Sequence, residues 1–346
     1  MFARILLLAL SFFCLKAQSQ CIQYQGRCQA DWMSQLSTVV KQRPLTRLKL
    51  MQSHNSGAYQ LMLNATTPME HFGLLDDAII LAEEDSSVEQ FIGKVTFCQS
   101  KNIYEQLEQG IRSLDLRVLY NNILNEFFLS HSFATVPLRS ALTQIQHFMT
   151  RHRGEILFMQ MENDYEHTQE TMPYNDQIIS IVQSALGSLL LPVSANKMLN
   201  DTITLKSLTQ SNKRILFSFS NPFAGSYNNV WLGKIINYFW PNDQTAENSL
   251  NTIRNNLPFY GTPQNKFMNS IFFTVTPSKN SILIGYLGEK FDCPVNNGIY
   301  DEASAMEALS SPFIRNHPSE LAGLNIVSVD FPTDDYVQQI IDWNTL

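Results

Sequence analysis

One octapeptide decides the fold: Gly110-Ile111-Arg112-Ser113-Leu114-Asp115-Leu116-Arg117. Polar and apolar residues alternate towards its end, which is the period of a β-strand. Gly110 ends a preceding helical segment, residues 103–109, because glycine is common just past a helix C-terminus. Asp115 and Arg117 lie two residues apart, so they point to one face of the strand. The alternative is an ion pair on an exposed sheet, but the surrounding aliphatic residues indicate a buried strand whose polar pair needs interior partners.

Two histidines stand at comparable places on either side of this strand. His54 lies in the segment Ser53-His54-Asn55-Ser56-Gly57, after the apolar run Leu48-Lys49-Leu50-Met51, and His131 follows Phe127-Phe128-Leu129. Barrel enzymes carry catalytic groups at the carboxyl ends of buried strands, and this pattern is typical of that arrangement. Two imidazoles and an arginine suit phosphoryl transfer, since one imidazole takes a proton, the other gives one, and the guanidinium holds phosphate oxygens.

Helices and strands alternate along the rest of the chain. Amphipathic helices are predicted at residues 137–153, 175–191, 245–256 and 302–315, and strands at residues 155–162, 214–220, 270–276 and 326–330. This alternation indicates a parallel sheet. The chain has 346 residues, 44% of them apolar, which is enough for one large core. We therefore predict the α/β class, with residues 20–346 forming a single irregular TIM-type (β/α) barrel.

Residues 1–19 are predicted to be a secretory signal peptide. Arg4 supplies the charge, residues 5–15 the apolar run, and Ala17-Gln18-Ser19 the cleavage site. The apolar run is shorter than the roughly 20 residues that a membrane anchor needs. The protein is thus expected to be secreted, or periplasmic or extracellular, and monomeric. Without the signal it holds 22 basic and 31 acidic residues, a net charge of −9, which argues against nucleic-acid binding.

Four cysteines remain after the signal, and an even number in an exported chain favours disulfides. Cys21–Cys28 is favoured by proximity and Cys98–Cys293 by exclusion, although four cysteines allow three connectivities. A metal site is the alternative, but no CxxC pair or histidine cluster accompanies these residues.

Taken together, these segments resemble the catalytic X region of phosphatidylinositol-specific phospholipases C. In that family a His-Asn or His-Asp pair follows the first strand, a G-[IV]-R-x-x-D-x-R segment forms the second, and another histidine ends the third. The resemblance is clearest from Arg47 to Asn163 and returns in patches at Phe273-Thr274-Val275-Thr276-Pro277 and Asn325-Ile326-Val327-Ser328-Val329-Asp330. It implies a phosphodiesterase that cleaves the headgroup of a phospholipid.

The resemblance also implies a role for each catalytic residue. His54 would be the general base that deprotonates the inositol 2-hydroxyl, and His131 the general acid for the departing diacylglycerol oxygen. Arg117 would neutralise the phosphate charge as a fixed bidentate donor. Asp330 would bind the other ring N–H of His54 and fix its tautomer. Asp115 would orient Arg117 or His131.

Metal dependence is left open by the same resemblance. Relatives divide into calcium enzymes, with carboxylates around the site, and metal-free enzymes, with an arginine in the calcium position. Arg117 favours the metal-free type and so predicts no cofactor, with Glu162 as its partner and Asn55 and Glu162 as substrate-binding residues. Asn55 nevertheless resembles the calcium type, in which Asn55, Asp115 and Glu162 would hold the ion through their oxygens.

Two other function classes compete with this interpretation. A glycerophosphodiesterase-like barrel would hold magnesium with a Glu-x-Asp pair, but that position reads Asp115-Leu116-Arg117. A catalytically silent barrel used for binding is the third class, and the intact set of His54, Arg117 and His131 counts against it.

The aromatic segment at residues 230–240 has two interpretations. Trp231, Ile235, Tyr238 and Phe239 fall at helical spacing, which favours a helix packed on the barrel. The alternative is an interfacial anchor that makes transient contact with a membrane surface.

Overall fold

The computed structural model describes residues 23–24, 27–62, 93–94, 96–122, 124–131, 133–163, 172–220, 227–276 and 298–345. The predicted signal peptide, residues 1–19, lies outside these ranges, as do Cys21 and Cys293. Among the helices in the described ranges, none has the length and apolar character needed to cross a membrane.

The elements alternate as the sequence predicts. The strands are β1 (Gln23–Tyr24), β2 (Arg27–Cys28), β3 (Leu50–Ser53), β4 (Ser113–Asn121), β5 (Glu126–His131), β6 (Phe133–Pro137), β7 (Leu157–Asn163), β8 (Ile215–Phe219), β9 (Trp231–Leu232), β10 (Ile236–Phe239), β11 (Met268–Phe273) and β12 (Leu324–Val329). The helices are α1 (Trp32–Gln35), α2 (Thr38–Lys41), α3 (Ile103–Glu108), α4 (Leu138–Arg151), α5 (Met172–Leu186), α6 (Leu205–Ser211), α7 (Ala246–Tyr260), α8 (Ile299–Asn316) and α9 (Asp334–Trp343).

The main sheet has the strand order of a TIM barrel. Its ladder runs β10-β11-β12-β3-β4-β7-β8-β9, and every neighbouring pair is parallel. The two end strands, β9 and β10, are separated in the chain only by the 3₁₀ turn Gly233–Ile235, so the chain itself connects the two edges. No ladder joins β9 to β10 within the described ranges, which makes this the seam of the barrel. The predicted α/β barrel is confirmed, and the seam is its irregularity.

The seam corrects the prediction of a helix at residues 230–240, which is wrong. Trp231 is fully buried and its Nε1 donates to the Leu191 carbonyl at 3.1 Å. Tyr238 pairs with Ser270 in the β10–β11 ladder. These residues have helical spacing but form two short strands, β9 and β10. Pairing of β9 with β8 and of β10 with β11 satisfies the backbone hydrogen-bonding groups at both edges of the barrel.

A hairpin that leaves the barrel brings His131 to the carboxyl ends of the strands. β4 is nine residues long, and its last four residues pair antiparallel with β5, which in turn pairs antiparallel with β6. β5 therefore runs back towards the barrel and ends at His131. The sequence placed His131 correctly at a strand end, but the strand belongs to this hairpin and not to the parallel barrel.

A buried ion pair closes the opposite, amino end of the barrel. Arg112 and Glu155 precede the adjacent strands β4 and β7, and the Arg112 Nε and Nη2 atoms donate to Glu155 Oε2 at 2.9 and 2.8 Å. Arg112 also donates to the Ala30 carbonyl, and Glu155 accepts from the Met33 and Ser34 amides. Burial raises the pKa of Glu155, and the charge of Arg112 opposes that rise. The N-terminal segment is thus bound across the base of the barrel.

Replacing Arg112 with methionine should lower the free energy of unfolding by about 3–5 kcal/mol, because it leaves the Glu155 carboxylate buried without its counter-ion. Lys101→Met is the matched control: Lys101 Nζ lies 3.0 Å from Asp334 in a partly exposed pair, worth about 0–1 kcal/mol. Urea denaturation followed by circular dichroism measures both. Equal losses in the two variants would contradict this account of the barrel base.

Candidate active site

The predicted site residues come together at the carboxyl ends of four neighbouring strands. His54 immediately follows β3, and Asp330 immediately follows β12, the strand beside it. β4 and β7 continue the row on the other side of β3. The residues brought to this edge are His54, Asn55, Asp115, Arg117, His131, Glu162 and Asp330. They form the candidate site.

His54 is held by a carboxylate on one nitrogen and an amide on the other. Its Nδ1 lies 2.8 Å from Asp330 Oδ1, and its Nε2 lies 3.0 Å from Asn55 Nδ2. Both side chains of the ion pair are nearly buried. With Nδ1–H donated to the carboxylate, the lone pair is on Nε2, which is the tautomer of a general base.

The turn after β3 is hydrogen-bonded to Asp115 in β4. Asn55 adopts a left-handed backbone, with φ of 43°, and its N–H donates to Asp115 Oδ2 at 3.1 Å. The Asp115 N–H in turn donates to Ser56 Oγ at 2.9 Å. A Cβ on Gly57 would lie only 2.6 Å from Leu129 Cβ in β5, so glycine is needed for the hairpin to approach. The Ser53–Gly57 motif thus positions both His54 and the strand that ends at His131.

Arg117 places a guanidinium beside these groups. Its Nη2 lies 3.8 Å from Asp115 Oδ2, and its ladder partner in β7 is Glu162. The Arg117 side chain is 30% exposed, whereas the Asp115 side chain is 3% exposed. The guanidinium therefore lies at the open end of the barrel, with Asp115 on its own strand and Glu162 on the neighbouring strand β7.

His131 faces the same space from the hairpin. Its Nδ1 lies 2.7 Å from the Thr96 carbonyl oxygen, and its ring centroid is 6.2 Å from that of His54. Burial lowers the pKa of His131 to about 4; the Thr96 carbonyl opposes this, and the charges of His54 and Arg117 add to it. His131 is thus neutral near pH 7 in the free protein. An acid role then depends on an anion in the site that favours the imidazolium.

An NMR titration of the histidine rings should give a His131 pKa of about 4 in the free protein. Sulfate bound beside Arg117 should raise this pKa, because an anion stabilises the charged ring. His131→Asn identifies the resonance. An unperturbed pKa of about 6.5 in the free protein would contradict the buried setting.

Cys98 is the main surprise of the site. It is a free, fully buried thiol, and its Sγ lies 3.4 Å from His131 Nδ1 and 3.7 Å from Asn55 Nδ2. Burial and then the charge of Asp330 raise the pKa of this thiol. The predicted Cys98–Cys293 disulfide is therefore wrong, because the Cys98 side chain is turned into the site. The Cys21–Cys28 disulfide stays a prediction, since Cys21 lies outside the described residues.

The sequence also missed several residues that shape the site. Gln99 Nε2 donates to the His54 carbonyl at 2.8 Å, which ties the Cys98 segment to the β3 turn. The Phe272 ring packs 5.5 Å from the His54 ring, and Tyr238 lies 6.2 Å beyond Phe272. Phe272 had only its place in a predicted strand as a signal, Tyr238 lay in a segment predicted as a helix, and Gln99 had no signal.

Comparison with known proteins bears on the whole chain. The family model described as the phosphatidylinositol-specific phospholipase C X domain matches residues 82–219. PI-PLC X domain-containing protein 2 of Mus musculus is 24% identical over 322 residues, covering 92% of this chain and 88% of the relative. PI-PLC X domain-containing protein 3 of Danio rerio is 23% identical over 332 residues, covering 91% of this chain and 93% of the relative.

Two solved structures share the fold. The phosphatidylinositol-specific phospholipase C from Listeria monocytogenes matches with a TM-score of 0.63 at 16% identity, covering 92% of this chain and 99% of that one. A Staphylococcus aureus phosphatidylinositol-specific phospholipase C, described for modulation of its membrane binding, matches with a TM-score of 0.60 at 17% identity, covering 92% and 98%. The family match runs from the segment before β4 to the end of β8, and the relatives align over nearly the whole chain. Residues 82–219 therefore match the X domain of phosphatidylinositol-specific phospholipases C, and the chain is similar to X-domain-containing proteins over nearly its whole length.

Proposed function

We propose that this protein is a secreted phospholipase C that cleaves the headgroup of inositol phospholipids. One observation carries the proposal: the His54–Asp330 pair at 2.8 Å shares a barrel mouth with Arg117 and His131. The names of the family and of its bacterial fold neighbours support this substrate class. A monomeric state, export and removal of residues 1–19 are part of the proposal.

The reaction is an attack within the substrate. His54 Nε2 takes the proton of the inositol 2-hydroxyl, which replaces the Asn55 amide on that nitrogen. The 2-oxygen bonds to phosphorus, and the bond from phosphorus to the diacylglycerol oxygen breaks. His131, protonated once the phosphodiester anion is bound, gives its proton to that oxygen. The products are a cyclic inositol phosphate and diacylglycerol.

Arg117 supplies the positive charge for the phosphate. Negative charge grows on the non-bridging oxygens in the transition state, and a preorganised guanidinium stabilises it without reorganisation. Asp115 Oδ2 lies 3.8 Å from Arg117 Nη2, and Glu162 pairs with Arg117 in the β4–β7 ladder, so both residues are placed to position the guanidinium. Asn55 and Glu162 would contact the substrate.

We propose that the reaction needs no metal. Calcium takes six to eight oxygen ligands. Asn55 Oδ1 is buried without a hydrogen-bond partner and could serve a cation. Asp115 Oδ2, however, already accepts from the Asn55 backbone N–H and lies 3.8 Å from Arg117 Nη2. A cation so close to the guanidinium would be repelled, so these residues fit a built-in arginine better than a resident calcium.

An aromatic rim supports transient contact with a membrane surface. Trp240 follows β10 and Tyr300 is the second residue of α8, so both lie towards the carboxyl ends of the barrel strands, where they are 45% and 60% exposed. The Trp240→Ala/Tyr300→Ala variant should bind phospholipid vesicles about tenfold more weakly, since each ring buries apolar area in the interface. Phe259→Ala is the matched control: Phe259 is 64% exposed at the other end of the barrel, near the end of α7. Sedimentation with vesicles measures both, and equal weakening would contradict the rim.

Diacylglycerol release from vesicles tests the proposed function. The protein should cleave phosphatidylinositol and leave phosphatidylcholine intact, with a chelator present throughout. Phosphatidylcholine has no hydroxyl beside its phosphate that could attack phosphorus. Cleavage of both lipids at similar rates, or of neither, would overturn the proposal.

A further inference from the structure

Three buried side chains of different chemistry converge beside the catalytic base. One ligand atom from each of His54, Cys98 and Asp330 lies within 4.8 Å of the other two. The described ranges contain no other such group of three or more histidine, cysteine or acidic residues. Nitrogen, sulfur and carboxylate oxygen are the three donor types that zinc binds in proteins. Calcium and magnesium take oxygen donors, so this cluster differs in kind from an oxygen cage.

We propose that His54, Cys98 and Asp330 form an inhibitory site for a thiophilic divalent cation, Zn²⁺ being the ion that fits these donors best. The cation bonds to Cys98 Sγ, to an imidazole nitrogen of His54 and to a carboxylate oxygen of Asp330. The thiol proton of Cys98 passes to the buffer, and no oxidant or reductant takes part. Zinc would take up the nitrogen or the carboxylate on which proton transfer depends.

The surroundings of the cluster supply a second, independent observation. Asn55 is 2% exposed, and its Oδ1 has no hydrogen-bond partner in the structure. The amide nitrogen of the same side chain contacts both His54 Nε2 and Cys98 Sγ, at 3.0 and 3.7 Å. An unpaired oxygen is thus attached to a side chain that already touches two members of the cluster. A bound cation, or its water, would give that oxygen a partner.

One residue of the proposed zinc site, Cys98, can be replaced without removing a group that the proposed reaction uses. Cys98 has no role in the proposed reaction, whereas His54 and Asp330 do. Binding of the cation does not depend on the proposed function, but the inhibition rests on it. The experiment therefore has one readout without substrate and one with substrate.

Cobalt substitution in the full folded protein gives the first readout. Co²⁺ bound by a thiolate shows a charge-transfer absorption in the near ultraviolet, and we expect this band in the wild-type protein and its loss on addition of Zn²⁺. Cys98→Ser should abolish the band. His147→Asn should keep it, because His147 is an exposed histidine stacked on Tyr104, away from the cluster. A band that survives in Cys98→Ser, or its absence from the wild type, would overturn the site.

Wild-type crystals soaked in ZnCl₂ keep the test independent of how the variants fold. The zinc anomalous peak should lie within bonding distance of Cys98 Sγ, and peaks only elsewhere would overturn the proposal.

The second readout is activity. Saturating Zn²⁺ should lower turnover of phosphatidylinositol vesicles at least about 10²-fold, reversibly with chelator, because the zinc-bound His54 can no longer act as the base. A cobalt band with zinc-insensitive turnover would refute the inhibition. A cobalt band without turnover under any condition would support the site and refute the proposed function.

Discussion

Replacing His54 or His131 with alanine is expected to lower turnover of phosphatidylinositol by about 10²–10⁴-fold, the usual worth of a positioned base or acid. The two losses have different causes. His54→Ala removes the group that activates the attacking hydroxyl, and leaves Asp330 buried beside an empty space. His131→Ala removes only the proton donor for the leaving oxygen.

A substrate with a good leaving group should separate these causes. Such a leaving group departs without a proton, so it should partly restore the activity of His131→Ala and not that of His54→Ala. His147→Ala is the control, because this exposed histidine stacks on Tyr104 outside the site. Equal losses for His54→Ala and His131→Ala on both substrates would sink the assignment of base and acid.

Replacing Arg117 with aspartate should lower turnover by about 10²–10³-fold, as removal of one preorganised donor to a developing oxyanion does. The wild-type protein should keep its activity in millimolar chelator, a concentration that would remove calcium from a weak site. Added calcium should restore part of the activity of Arg117→Asp. Asn55, Asp115, Glu162 and the new carboxylate would then offer oxygens without the repelling guanidinium.

The matched control for this substitution is Arg139→Asp, which makes the same change of charge on the exposed surface of α4. It should retain wild-type turnover and show no response to calcium. Loss of wild-type activity in chelator, with recovery in calcium, would contradict the built-in cation. Asn55 and Glu162 would then be calcium ligands.

Much of the barrel was predictable because strand and helix periods are local properties. The helix Leu138–Arg151 falls within its predicted range, and the strand Leu157–Asn163 agrees with its predicted range to within two residues at each end, since each carries a clear apolar pattern. His54 and Asp330 are 276 residues apart in the chain, and the cyclic strand order alone places β12 beside β3. A barrel prediction therefore brings distant strand ends to one edge without any contact being known.

The features that the sequence did not predict depend on the direction of a strand and on which strands it pairs with. The turn at Asn121-Asn122 between two strands was predicted, but an apolar run such as Phe127-Phe128-Leu129 does not reveal whether its strand joins the parallel barrel or leaves it in a hairpin. Residues 230–240 satisfied a helical period, and only pairing across the seam decides for strands. Cys98 has no periodic signal in the sequence. Its position follows from backbone hydrogen bonds, in which its N–H donates to the Ala58 carbonyl and its carbonyl accepts from the Phe331 N–H. Counting cysteines therefore gave a disulfide where the structure has a thiol beside two histidines.

Phosphorus NMR of phosphatidylinositol vesicles incubated with the wild-type protein and chelator tests the central claim most directly. The lipid resonance should be replaced first by that of a cyclic inositol phosphate, with diacylglycerol as the partner product, and His54→Ala should form neither. Phosphatidic acid as the phosphorus product would show cleavage on the other side of the phosphate. An unchanged lipid spectrum would show a silent barrel. Either result would contradict the reaction proposed for His54, Arg117 and His131.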